Sequence, residues 1–248
     1  MNLEVISVIS VEQLADNITH VRDAIAQAAE RAARDPREIT LVAVSKTMPL
    51  DLVRMAYNLG VTHFGENRVQ DALPKIEAFH AQDVSWHMIG HVQSNKARKV
   101  VGPFALVQSV DSPRLAELLN RHASEQGMRL PILLQVNVAG EASKEGVSPD
   151  EALVLAQRVV ELPGLRVEGL MTIAPIAQHP EDTRPVFRQL RLLREHLRET
   201  VPQGEWQHLS MGMTDDYRVA IEEGATIVRI GRAIFGERIQ TIAERARQ

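Results

Sequence analysis

Apolar residues recur along this chain in two patterns. In the first, Leu14, Ile18, Val21 and Ile25 lie on one face of a helix over 11–34. In the second, a run such as 39–44 is apolar, β-branched and too short for a helix, which predicts a buried strand. The same reading gives strands at 63–65, 86–89, 105–110, 132–137, 166–173, 207–210 and 227–230. Helices fit between and after them, near 50–59, 67–80, 94–100, 112–126, 149–161, 182–200, 214–222 and 237–246. The helix over 182–200 places Val186, Leu190, Leu193 and Leu197 on one stripe. Its Pro185 suits a first turn, where the missing N–H does no harm.

Strands separated by helical crossovers imply a parallel sheet. Eight such units with a leading helix, in 248 residues, match a (β/α)8 TIM barrel. An open doubly wound sheet is the competing architecture. No linker, low-complexity tract or short repeat breaks the pattern, so a single domain over 1–248 is expected. The polar loop 139–149 is the longest irregular stretch after the first helix.

Composition narrows the function classes. The net charge of −4 argues against a protein that coats nucleic acid or an anionic membrane. The absence of cysteine excludes disulfides, thiolate metal sites, iron–sulfur clusters and cysteine nucleophiles. Aromatic residues are only 4%, too few for base-stacking platforms. No apolar run reaches the ~18 residues of a membrane span. The opening MNLEVISVIS carries Glu4 and no basic start, unlike a secretory signal. A soluble cytoplasmic protein is expected.

A barrel builds its site at the C-terminal ends of its strands. Those positions offer Ser45 and Lys46, Glu66 and Asn67, His87, Gly90 and His91, Asn137, Met171 and Thr172, Ser210 to Gly212, and Arg229 to Arg232. Lys46 directly follows the run Leu41 to Ser45. A lysine partly desolvated at the mouth would have a lowered pKa and a nucleophilic amine, able to form a Schiff base with an aldehyde. A strand-end lysine that snorkels to water is the plainer reading.

The last two loops add phosphate chemistry. Ser210 and Gly212 precede a predicted helix start at which Thr214 would cap and Asp215 and Asp216 would fill the first turn. Free N–H groups there could cradle a phosphate; ordinary capping is the alternative. Gly231 would let backbone approach a ligand closely. Barrels often bind phosphate with the loops after strands 7 and 8. Arg229 interrupts an apolar strand, so it either pairs with an acid such as Glu168 or faces a ligand in the mouth.

Other residues carry less. His87 and His91 flank Gly90 without any metal-binding helix motif, so hydrogen-bonded histidines are expected rather than a metal site. The basic cluster 95–99 reads as a solvated face or an anion patch, and Lys144 as a solvated charge. Asn67 either touches a ligand or caps the next helix.

Seven stretches taken together resemble one family: VAVSKT at 42–47, HFGENRVQ at 63–70, WHMIGHVQSNK at 86–96, LLQVNVAGEASKEGV at 133–147, GLMTIAP at 169–175, LSMGMTDDY at 209–217 and VRIGRAIFGER at 228–238. They resemble, in order, the pyridoxal-phosphate homeostasis proteins (the YggS/PROSC family of PLP-binding proteins). The resemblance implies a barrel like the N-terminal domain of alanine racemase, with pyridoxal 5′-phosphate (PLP) held as a Schiff base on Lys46. It implies that Ser210 and the backbone at Gly231 hold the phosphate, with Thr214 and Arg232 near it. Arg229 would face the pyridine nitrogen, and Asn67, His87 and Met211 would line the pocket. Lys144 matches a family loop lysine associated with cofactor transfer.

Two functions follow from that resemblance: a non-catalytic protein that buffers PLP or delivers it to apo-enzymes, or a PLP-dependent amino-acid racemase. Racemisation needs two opposed acid/base groups. In alanine racemases one is a tyrosine from a second β-domain of the partner subunit, for which this sequence leaves no stretch after strand 8. Its tyrosines, Tyr57 and Tyr217, fall on predicted barrel helices. The homeostasis reading is favoured, and a monomer is expected. A sugar-phosphate or metal-dependent enzyme would need a carboxylate cluster at the strand ends, where only Glu66 stands out.

Overall fold

The Ser10 hydroxyl caps α1 (Val11–Arg31) by accepting the Gln13 N–H at 3.1 Å. The structure is a computed structural model that describes residues 9–141 and 144–236. The helix buries Leu14, Ile18, Val21 and Ile25, the stripe that the spacing predicts. It ends at Arg31, short of 34, because Ala33 turns into the left-handed region at φ 55°.

Eight strands come after it: β1 (Thr40–Val44), β2 (His63–Glu66), β3 (Ser85–Met88), β4 (Leu106–Val110), β5 (Leu130–Gln135), β6 (Leu165–Met171), β7 (His208–Ser210) and β8 (Ile227–Ile230). All pair in parallel and in chain order, and β1 also pairs with β8, from Thr40 beside Ile227 to Ala43 beside Ile230. The sheet therefore closes. The open-sheet alternative is excluded, and the barrel is the fold.

The helices between the strands are α2 (Leu50–Asn58), α3 (Val69–Ala78), α4 (Ala97–Val100), α5 (Pro113–Glu125), α6 (Pro149–Val159), α7 (Arg184–Thr200) and α8 (Tyr217–Glu222), with α9 (Arg232–Phe235) after β8. Pro113, Pro149 and Pro185 each fall in a first turn. Ser148 and Glu151 form a reciprocal capping box on α6. On α7 the buried residues are Phe187, Leu190 and Leu197, while Val186 and Leu193 pack partly buried beside them. The expected helix over 94–100 is a 3-10 turn, Ser94–Lys96, leading into α4. The helix expected over 237–246 lies outside the described residues. No helix among the described residues is long and apolar enough to cross a membrane.

Alternation along the strands sorts the interior into two cores. One set of faces packs against the helix ring, where Phe64 and Trp86 stand 5.4 Å apart and Trp86 meets Phe79 edge-on at 5.8 Å. The other set faces the barrel axis. There Val42, Leu106, Leu133, Met171 and Ile227 form a separate small apolar cluster. Polar residues that share their parity, two positions further along a strand, continue toward the mouth. That is how Gln108 follows Leu106 and Arg229 follows Ile227.

Candidate functional site

The end of β1 is held firmly. The Ser45 hydroxyl donates to Glu66 Oε1 at 2.7 Å, and Lys75 Nζ donates to that same oxygen and to the Ser45 carbonyl, each at 2.8 Å. Glu66 is fully buried, and its Oε2 has no hydrogen-bond partner among the described residues. Met48 N–H returns to the Ser45 carbonyl at 3.0 Å, so Ser45 to Met48 form a β-turn. Thr47 stands in it at φ 66°, a conformation that a β-branched residue rarely adopts. Lys46 is thus carried on a turn fixed at both sides.

Lys46 keeps the parity of Val42 and Val44 and so faces the mouth. It lines two cavities. One, of about 450 Å³, is also lined by Asn67, Gln135, Ile173, Met213 and Arg229. The other, of about 220 Å³, is lined by Glu66, Asn67, Gly231 and Arg232. A wider cleft of about 870 Å³ lies between α1 and the loops after β6 and β7, and Lys46 does not line it. Of the two readings of Lys46, a partly desolvated amine and a strand-end lysine that reaches water, its exposure at the mouth fits the second.

Arg229 is 4% exposed on β8. Its Nη1 donates to the Ser210 hydroxyl at 2.6 Å and its Nη2 to the Thr172 carbonyl at 2.8 Å. Glu168 is not its partner. That carboxylate pairs with Arg166 at 2.6 Å, and His208 stands 3.9 Å away. Burial pulls the Arg229 guanidinium down to about 10, and the nearby Asp216 carboxylate opposes that fall. It remains a cation at neutral pH.

The expected residues divide. Lys46, Asn67, Arg229, Gly231 and Arg232 converge around the two cavities. Ser210 does not open onto them, because its hydroxyl is buried between Arg229 and Gln108, donating to Gln108 Oε1 at 2.6 Å. His87 is buried deeper, with Gln108 Nε2 2.9 Å from its Nδ1 and His63 Nδ1 3.0 Å from its Nε2. Desolvation, with His63 and His208 nearby, pulls the His87 imidazole down to about 3. Met211 packs in the outer core, and Met213, two residues on, reaches the mouth. Thr214 lines the outer cleft and is not the cap of α8, which begins at Tyr217 with Asp216 at the N-cap position. The Asp216 carboxylate accepts the Met213 N–H at 2.6 Å, so one donor of the supposed phosphate cradle is already committed. Arg232 is ion-paired with Asp215.

His91 Nδ1 lies 3.6 Å from Glu145 and 3.9 Å from Asp111, and no metal-holding cluster is found among the described residues. Lys144 lies 4.0 Å from Glu141, as a solvated charge would. Of the basic cluster, Lys96 lines the larger cavity, while Arg98 and Lys99 are exposed. Sequence reasoning misses Lys75, Gln108, Gln135 and His63. Gln108 carries the same signal as Arg229, a polar residue inside an apolar strand.

Comparison with known proteins agrees with this architecture. Residues 9–239 match the family of the alanine racemase N-terminal domain. The pyridoxal phosphate homeostasis protein of Aquifex aeolicus is 44% identical over 227 residues, 90% of this chain and 97% of that protein. The Escherichia coli K12 protein of the same name is 41% identical over 232 residues, 92% and 98% of the two chains. Among solved structures, PipY of Synechococcus elongatus with PLP bound superposes with a TM-score of 0.80 at 37% identity, over 90% of this chain and all of that one. Alanine racemase of Clostridium difficile shares the fold at a TM-score of 0.71 and 14% identity, over 91% of this chain and 60% of the racemase. With 38–44% identity to such relatives along most of its length, the chain belongs to the pyridoxal phosphate homeostasis protein family.

Proposed function

We propose that this chain binds PLP at the barrel mouth as a Schiff base on Lys46, and that it stores the cofactor and passes it to apo-enzymes without turning over a substrate. The observation that carries the reading is the position of Lys46, between a cavity floored by Arg229 and a cavity backed by Gly231 and Arg232. That donor set fits the cofactor: an amine for its aldehyde, a guanidinium for its pyridine nitrogen and open backbone for its phosphate. Gly231 supports the fit. Its φ of −112° is ordinary, and a Cβ there would meet Val44 at an unstrained 3.4 Å. Nothing in the packing among the described residues calls for glycine there, whereas a ligand that touches the backbone does.

When bound, PLP supplies a reactive aldehyde carbon conjugated to an electron-withdrawing ring. The chain's part is to hold and to restrain. Lys46 would supply the amine nitrogen for the bond to the cofactor's aldehyde carbon, with the aldehyde oxygen lost as water. Arg229 would offer an N–H to the pyridine nitrogen and so keep that nitrogen free of a proton. An unprotonated ring is a weaker electron sink, which suits storage better than carbanion chemistry. A racemase needs a second acid/base group across from Lys46. Tyr57 donates to Asp83 at 2.8 Å on the outside, and Tyr217 is buried beside the outer cleft. The PLP-bound PipY and the name of the curated relatives support the reading.

Titration with PLP tests it. The protein should develop the absorption of a protonated Schiff base, and Lys46→Ala should not. Sustained racemisation of alanine at enzyme-like rates would overturn the non-catalytic part.

A further inference from the structure

Arg229, Ser210, Gln108, His87 and His63 form one continuous hydrogen-bonded chain across the barrel interior, from β8 through β7, β4 and β3 to β2. Its direction is set by donor and acceptor chemistry. A guanidinium only donates, so Ser210 Oγ accepts from Arg229 at 2.6 Å. The single hydroxyl proton of Ser210 then goes to Gln108 Oε1, also at 2.6 Å. That fixes the amide with Nε2 toward His87 Nδ1, which must accept. A neutral His87 therefore carries its proton on Nε2 and donates it to His63 Nδ1 at 3.0 Å. Every dipole in the chain turns its negative end toward Arg229.

The geometry points to Gln108 as a positioning residue, which holds the Arg229 guanidinium at the mouth through Ser210 and whose amide orientation is set by the His87–His63 pair. The inference rests on the PLP reading for its consequence, since Arg229 is the group proposed to meet the pyridine nitrogen. The hydrogen-bonded chain itself is independent of that reading.

A one-way chain of this kind has a second state. A His63 protonated on both nitrogens has no lone pair left for His87. His87 must then move its proton to Nδ1, Gln108 must turn its amide, and Ser210 loses its acceptor. His63 is the half-buried end, and burial lowers both its imidazole and that of His87, the latter to about 3. The titratable neighbours at this inner end are His87 on β3 and His208 on β7, itself lowered by burial. Beyond them lie Glu168 on β6, paired with Arg166, and Glu205. Acid should therefore reach His63 before His87 and disturb Arg229 from the far side of the barrel.

The test uses the whole protein in two measurements. Nitrogen-15 NMR of labelled histidines, without cofactor, should show His87 as the Nε2–H tautomer at neutral pH. It should change tautomer together with the protonation of His63. An Nδ1–H tautomer at neutral pH, or a His87 indifferent to His63, overturns the chain. PLP titration of Gln108→Leu, and of His63→Ala at the remote end, reads the consequence. Gln108→Leu should weaken retention roughly tenfold, the effect of about one lost buried hydrogen bond, here the one that holds Ser210 against Arg229. His63→Ala should remove the acid-side change in the bound-cofactor spectrum while wild type keeps it. Unchanged affinity and an unchanged pH profile in both variants overturn the positioning role. A wild type that never binds PLP, with His87 still locked as Nε2–H, overturns the cofactor reading alone. Gln108→Glu covers the case in which the leucine variant does not fold. It keeps the acceptor for Ser210 but forces His87 to donate from Nδ1, and an Nε2–H tautomer there also contradicts the chain.

Discussion

The Arg229 guanidinium donates to the Ser210 hydroxyl at 2.6 Å inside the barrel, and that hydroxyl opens onto neither mouth cavity. The contact turns a supposed phosphate ligand into a support for the buried cation. Ser210→Ala removes a partner from both Arg229 Nη1 and Gln108 Oε1. Leaving such buried groups unsatisfied costs about 1–3 kcal/mol. Urea unfolding of the variant should show that loss as a lower midpoint at constant slope, and an unchanged midpoint would mean that the contact contributes nothing.

Lys75 and Glu66 make the second support, beneath Lys46. Lys75→Met leaves a fully buried carboxylate without its cation, and breaking such a pair costs about 3–5 kcal/mol. Adding Glu66→Gln should recover much of the loss, because no buried charge then remains. Stability measured for the two single variants and the double gives the coupling directly. Simple additivity of the single losses would argue against the pair.

Gly90 joins the ends of β2 and β3. A Cβ at Gly90 would collide with the Asn67 carbonyl oxygen and lie 2.8 Å from the Asn67 Cα, both backbone atoms with little room to yield. Gly90→Ala should therefore push Asn67 out of line, costing about 1–3 kcal/mol. It should also weaken PLP retention. Calorimetric melting together with PLP titration checks both, and normal retention would remove Asn67 from the site.

Much of the barrel and its mouth is legible in the chain, for a physical reason. Strands of a closed parallel barrel are short, and their parity alone tells which residues face the axis. Val42 and Val44 therefore point to Lys46, and Ile227 points to Arg229. Parity also explains the errors. Met211 leaves β7 one residue after the inward-facing Ser210 and so turns into the outer core, whereas Met213 returns to the mouth. Thr214 resembles a cap because threonine caps well, yet the chain first spends a turn in which Asp216 takes up the Met213 N–H. Lys75 is hidden because its partner is set by the docking of α3 on β2, a tertiary contact without local pattern. Gln108 is readable in principle: a buried amide inside an apolar strand asks for partners as an arginine does.

Acid stability should report on His87. Its imidazole is held near 3 in the folded protein, whereas the unfolded chain takes up a proton at about 6.5. Below that pH the unfolded state binds a proton that the folded state refuses, so this contribution to stability falls from pH 6.5 toward 3. Above pH 6.5 it is level. His87→Gln should flatten that part of the curve of melting temperature against pH, and an unaltered slope would place the titration elsewhere.

The proposed function depends above all on where the cofactor is bonded. Borohydride reduction of the PLP-loaded protein, followed by peptide mass mapping, locates that bond. One pyridoxyl-phosphate label is expected, on Lys46, and none in Lys46→Ala. A label on another lysine, or an equal label in the variant, would contradict the assignment.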